Sequence, residues 1–199
     1  MSLRPEICGF SLAKLRSLLG SRNQDILKTL LTECDQQFVG DDSESDKDRR
    51  WTEQVKEVIR RAIMKGAPFP DLDAEDETHV AAMMVLAAHE QSPLPTESSI
   101  WKAPVLADLW EAIGEKLPAR VAPLYDGMLN GRPLLGKRID SSWSFYAWLT
   151  CQEVTILWQS LETIRRVEPD PTGNGFLGEL ASWLEQIHKG AYDLWFEAA

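Results

Sequence analysis

The sequence predicts a mainly α, single-domain fold of about eight helices with one or two short β elements. Three observations predict it. Apolar residues recur at helical spacing through most of the chain, Pro and Gly cluster between those stretches, and 44% of the 199 residues are hydrophobic, enough for one substantial core.

Taken in order, residues 6 to 10 read as a short strand, and Ser11 reads as the N-cap of a first helix. Leu12, Leu15 and Leu19 share a face of that helix before Gly20 ends it. Asn23 starts the next helix, with Ile26, Leu27, Leu30, Leu31 and Cys34 on one side. Gly40 to Asp46 is then a polar, turn-rich connection, the expected mobile loop. A third helix over 47 to 65 aligns Trp51, Val55, Val58, Ile59 and Ala62, pairs Glu57 with Arg61 four residues on, and stops at Gly66 and Pro68. The acidic stretch Asp71 to Glu77 suits the positive end of a helix dipole. It leads into Val80 to Ala88, nine apolar residues that predict a helix buried nearly all round at the centre of the core.

Past Pro93 and Pro95, Leu106, Leu109, Trp110, Ile113 and Leu117 mark another amphipathic helix. Leu124, Tyr125, Met128 and Leu129 mark a shorter one, with Pro118 and Pro123 placed at helix starts. Asn130 to Pro133 is a turn. The segment 142 to 149 admits two periods: period two puts Trp143, Phe145, Ala147 and Leu149 on one face, whereas period 3.6 joins Trp143 and Ala147 to Thr150, Val154, Leu157, Leu161 and Ile164. Thr150 followed by Glu153 matches a capping box, which favours an extended segment and a helix from 151. After Pro169 to Gly175, a last helix carries Leu177, Leu180, Leu184, Ile187, Ala191 and Leu194, with a bend at Gly190.

The 31 Asp and Glu against 21 Lys and Arg leave a net charge of −10, which opposes binding to nucleic acid or anionic lipid. The expected partner is another protein, a basic one. Cys8, Cys34 and Cys151 are odd in number and widely spaced, as reduced thiols in a reducing compartment would be. No secretory h-region and no apolar run of ~18 residues occurs, so the expected location is cytoplasmic with no membrane contact.

The motifs that carry chemistry do not survive their context. Gly173-Asn174-Gly175-Phe176-Leu177-Gly178 has the GxGxxG form, but a proline-bearing loop precedes it where a dinucleotide site needs a strand. A helix-capping turn accounts for it better. His79, His89 and His188 are scattered, and Glu75 with His79 makes half a metal site at most. The calcium-like run from Asp71 has Asp76 where glycine is required. No nucleophile elbow, P-loop or HExxH appears. The expectation is no metal and no cofactor, and the absence of a catalytic motif leaves no basis for naming an enzyme without excluding one.

Of the eight tryptophans, Trp51, Trp110, Trp158 and Trp183 fall on or beside helical apolar stripes, as core residues do. Trp143, Tyr146 and Trp148 cannot all face one side of an extended segment. Tyr146 and Trp148 share a face with Ser142 and Ser144, and Arg132, Lys137 and Arg138 lie nearby. Trp143, Tyr146, Trp148, Arg132 and Arg138 are therefore the candidate binding surface, since Tyr and Trp join large apolar area to a polar handle.

The aromatic segment running into Leu149-Thr150-Cys151-Gln152-Glu153-Val154 resembles the Leu-Thr-Pro-Glu-Gln-Val segment of the YfbM-like bacterial families of unknown function. Gly9 to Leu12 and Leu18 to Ser21 resemble the start of such proteins. Cys151 stands where that pattern has proline, and Glu and Gln are exchanged. The resemblance implies an uncharacterised bacterial protein and carries no activity. The leading expectation for function is a protein-interaction role, of the adaptor or immunity type. The alternative is a small-molecule binder or enzyme with an aromatic pocket around 143 to 148.

Overall fold

The computed structural model describes residues 5–38, 46–66, 76–91, 97–98, 104–132 and 145–198. The described elements are β1 (Pro5–Phe10), α1 (Leu12–Leu18), α2 (Gln24–Phe38), α3 (Asp46–Lys65), α4 (Asp76–His89), β2 (Glu97–Ser98), α5 (Pro104–Ile113), α6 (Ala122–Asn130), β3 (Phe145–Leu149), α7 (Cys151–Val167), α8 (Phe176–Lys189) and β4 (Asp193–Ala198). A 3-10 turn, Gly114–Lys116, follows α5. The fold is mainly helical, as expected. No helix among the described residues is long and apolar enough to cross a membrane. The expected connection 40 to 45, the acidic run 71 to 75 and the Pro93–Pro95 linker lie outside the described residues.

The chain divides into two compact units. One comprises Met1–Phe10, Gln91–Arg132 and Ser142–Ala199, the other Ser11–Glu90 and Pro133–Ser141.

In the second unit, Ser11 caps α1 by accepting from the Lys14 amide at 3.3 Å, and Asn23 Oδ1 accepts from the Asp25 and Ile26 amides at the start of α2. The buried leucines of α1 are Leu12, Leu15 and Leu18. Leu19, expected on that face, is instead the C-cap, because the helix ends one residue earlier. α2 buries Leu27, Leu30 and Cys34, and α3 buries Thr52, Val55, Val58, Ile59, Ala62 and Ile63. The Glu57–Arg61 pair forms at 2.9 Å. α4 packs on α2 and α3 and is buried from Thr78 to Met83 and from Val85 to Ala87. It is as enclosed as its composition requires, but it serves this unit, and the first unit builds a separate core of its own.

The α1–α2 turn is tied to the end of α3 through Ala62 O, which accepts from Gly20 N at 2.9 Å and Gly66 N at 3.0 Å, and through Ile63 O, which accepts from Arg22 N at 3.1 Å. Gly20 has φ +68°, and a Cβ there would stand 3.2 Å from the Gly66 Cα. An alanine would meet the left-handed penalty and a backbone neighbour together. Gly20→Ala should lower stability by about 2 kcal/mol, read as a lower urea midpoint. Gly173→Ala, also at positive φ but with open space around it, should cost less.

In the first unit the strands form one antiparallel sheet in the order β2-β1-β4-β3. The expected strand at 6 to 10 is β1, and of the one expected at 142 to 149 the described part, 145–149, is β3, residues 142–144 lying outside the described residues. The C-terminal strand β4, between them, corrects the sequence reading. Residues 191 and 194 continue the apolar spacing of α8, yet the helix stops at Lys189. Ala191 takes φ +54°, and its amide and that of Tyr192 turn back onto His188 O and Ile187 O, a left-handed helix ending. From Asp193 the period is two.

Leu194 and Phe196 then lie with Ile7, Ala147 and Leu149 on one sheet face, in a core with Leu106, Leu109 and Ile113 of α5, Leu157 and Leu161 of α7, and Leu180 and Leu184 of α8. Tyr125 of α6 is fully buried there and donates to Leu106 O at 3.0 Å; burial pushes its phenol pKa up. Helices cover that face because the residues that β4 and β3 present beside Ile7, namely Leu194, Phe196, Ala147 and Leu149, are apolar.

Candidate functional site

The expected extended segment and the helix after it are both present, and the capping box joins them. Thr150 Oγ1 accepts from the Glu153 amide at 3.3 Å while Glu153 Oε2 accepts from the Thr150 amide at 2.8 Å. Arg132, just past the end of α6, engages the same carboxylate with both terminal nitrogens, Nη1 to Oε2 at 2.8 Å and Nη2 to Oε1 at 2.9 Å. Burial pushes the Glu153 pKa up, but the hydrogen bonds from Arg132 and Thr150 outweigh it, and the net shift is down.

Arg132 does more than neutralise Glu153. Its backbone amide donates to Tyr146 O at 3.1 Å and Nη1 donates to Trp148 O at 3.2 Å, so it occupies two alternate carbonyls of β3, the edge strand. A filled edge resists pairing with another chain. The guanidinium also lies 4.0 Å over the Trp148 ring, a cation–π contact.

The structure therefore brings Arg132, Tyr146 and Trp148 together. Trp143, Lys137 and Arg138 lie outside the described residues. Tyr146 is 4% exposed and stacks on Trp195 at 5.0 Å and 13°; Trp148 is half-buried. The pairing registers put Tyr146, Trp148, Trp195, Glu197, Glu6, Cys8 and Phe10 on the same sheet face. Trp195 was not legible as their neighbour, because the heptad-like spacing of the last helix ran through Leu194.

A second place with shape is an open groove of about 420 Å³, lined by Asp108, Glu111 and Ala112 of α5 and by Pro171, Thr172 and Asn174 of the loop before α8. Asp108 and Glu111 are exposed because α5 spends its other face, Val105, Leu106, Leu109 and Ile113, on the core. The loop is the GxGxxG stretch, and its amides are already engaged. Asp170 accepts from Gly173 N through its carbonyl and from Gly175 N through Oδ1, and Asn174 Oδ1 accepts from Phe176 N at 2.9 Å. Gly175, at φ +76°, is the N-cap of α8. The motif is a capping turn facing two carboxylates, the reverse of a phosphate cradle. Spacing in the sequence shows the charged face of α5 but not that this loop folds over it.

Among the described residues, no group of three His, Cys, Asp or Glu side chains is placed to hold a metal ion. His188 is fixed by α7: Thr155 Oγ1 spends its one proton on Cys151 O at 2.9 Å, so the 2.9 Å contact with His188 Nδ1 requires the ring to donate. The ring stacks on Trp158 at 4.7 Å.

Residues 1–196 match the model of a family described as a domain of unknown function, DUF7691. The chain belongs to this family. No curated protein and no solved structure matches it.

Proposed function

We propose that the protein is a cytoplasmic protein-interaction protein, of the adaptor or immunity type, that takes a basic segment of its partner in the acidic groove of α5 and the 171–174 loop. The groove carries this reading: it pairs two exposed carboxylates, Asp108 and Glu111, with a concave wall of Pro171, Thr172 and Asn174. The net charge of −10 supplies long-range attraction for such a partner. The aromatic pocket around 143 to 148 has less support, because Tyr146 is packed on Trp195 and Trp148 lies under Arg132. The likeness of Gly9 to Ser21 and of Trp143 to Leu161 to the YfbM-like families supports a shared local structure and adds no activity.

A labelled lysine- and arginine-rich peptide tests the groove by fluorescence anisotropy. Asp108→Asn with Glu111→Gln should weaken its binding about tenfold, or 1.4 kcal/mol. Asp25→Asn with Asp126→Asn removes the same charge from other exposed positions and should weaken it far less. Equal losses in the two double variants, or no binding by the wild type, would overturn the proposal.

A further inference from the structure

The loop before α8 sets a reactive side-chain amide among groups that act on it. Asn174 is followed by Gly175, so the next backbone nitrogen meets no Cβ of its own residue in approaching the Asn174 carbonyl carbon. Asn174 Oδ1 accepts from Phe176 N at 2.9 Å, and the ring that this bond closes contains both Asn174 Cγ and Gly175 N. The side chain is thereby folded forward over the nitrogen whose attack on Cγ closes a succinimide.

Three further observations bear on that step. Gly175 N donates to Asp170 Oδ1 at 2.9 Å, so a carboxylate already sits on the proton that the nitrogen must lose. Asn174 Oδ1 also accepts from Thr172 Oγ1 at 2.6 Å; with Phe176 N this places two donors on the oxygen that takes up negative charge when Cγ becomes tetrahedral. Asp170, Gly173 and Gly175 are exposed, and nothing lies within 4 Å of a Cβ built on either glycine, which leaves room for water.

We propose that Asn174 converts itself into an acidic residue through a succinimide with Gly175, adding a third carboxylate to the groove of Asp108 and Glu111. Gly175 N bonds to Asn174 Cγ while its proton passes to Asp170 Oδ1. The Cγ–Nδ2 bond then breaks, and Nδ2 leaves as ammonia with its own two protons and the one held by Asp170. A water molecule opens the ring, at Cγ to give aspartate or at the main-chain carbonyl carbon to give isoaspartate. No oxidant or reductant takes part.

The product suits its place. Asn174 lines the groove together with Asp108 and Glu111, and an aspartate there still accepts from Phe176 N while its charge meets the positive end of the α8 dipole. A third carboxylate strengthens the attraction for a basic segment; this consequence rests on the groove being the partner's site. The chain holds a second Asn–Gly pair, Asn130–Gly131, in a different setting. Asn130 ends α6, and its Nδ2 donates to Asp126 Oδ1 at 2.8 Å.

A time course of the full chain in mildly alkaline buffer, mapped by mass spectrometry for exchange of amide for acid at each asparagine, tests the conversion. Asn174 should convert about tenfold faster than Asn130. Asp170→Asn and Thr172→Val, with the circular dichroism of the wild type retained, should each slow Asn174 about tenfold. An Asn174 no faster than Asn130, or an unchanged rate in both variants, would overturn the self-conversion. The groove is read separately: Asn174→Asp should bind the lysine- and arginine-rich peptide about threefold more tightly than freshly purified wild type. Equal affinities would overturn the effect on the groove while the mapped conversion stands. A peptide that neither protein binds would overturn the groove reading itself, and the mass measurement still decides the conversion.

Discussion

Phe196→Ala should destabilise the first unit by about 3–5 kcal/mol, the range for emptying a fully buried aromatic site. Phe196 is 0% exposed in the middle of β4, opposite Ile7 on one side and Ala147 on the other, in the core formed with α5 to α8. Truncation removes its contacts to both neighbouring strands and leaves a cavity that the rigid sheet cannot close. Guanidinium unfolding followed by circular dichroism measures the effect. The same experiment tests the end of α8. If residues 190 to 197 continued the helix on a solvent-facing turn, Phe196→Ala would cost well under 1 kcal/mol.

Arg132→Ala should cost about 3 kcal/mol, the low end of the range for removing one partner of a buried pair. The value is set there because Arg132 and Glu153 keep 29% and 23% of their side-chain exposure. Three consequences converge on one residue. Glu153 loses its bidentate partner, Trp148 O at the edge strand loses a donor while the backbone amide at 132 still serves Tyr146 O, and Trp148 loses the cation above its ring. Arg132→Lys should recover only part of the loss, because an ammonium cannot span both carboxylate oxygens. With the Trp148 carbonyl at the edge of β3 uncovered, the alanine variant should also self-associate more readily at high concentration, measurable by sedimentation.

Two half-buried glutamates of this unit respond to pH in opposite directions. Glu153 has a lowered folded pKa, so its stabilisation is present above the unfolded value of 4.5 and is lost as pH falls through the folded value. Glu197 has a raised one and loses its contribution as pH rises. Stability should therefore peak in the mildly acidic range. Arg132→Ala should move the maximum to lower pH by weakening the Glu153 side of the curve, and Glu197→Gln should extend it to higher pH.

Much of the helical architecture was legible, because local physics decides it. Ser11, Asn23 and Thr150 mark helix starts through side-chain oxygens that reach the free amides of the next turn. The Thr150–Glu153 box also settled the two readings of 142 to 149 in favour of the strand. The periodicity that placed Leu106, Leu109 and Ile113 of α5 in the core was legible as well, whereas Asp108 and Glu111 on its other face were not singled out. The partner of Tyr146 did not follow, nor did the loop that faces Asp108. Both depend on residues 49 and about 60 positions away along the chain.

By itself the sequence determined a mainly α chain, its helix starts, the β1 and β3 strands, the capping box and the acidic charge balance. Apart from the charge balance, a sum over the chain, each depends on residues within a few positions of one another. Tertiary structure alone decided that 193 to 198 is an interior strand, that the apolar helix 76–89 belongs to a different unit from the sheet, and that Glu6 meets Glu197. Apolar spacing says which face an element buries but not what covers it. At Leu194 the helical spacing persists by coincidence, and pairing with strands on both sides outweighs it.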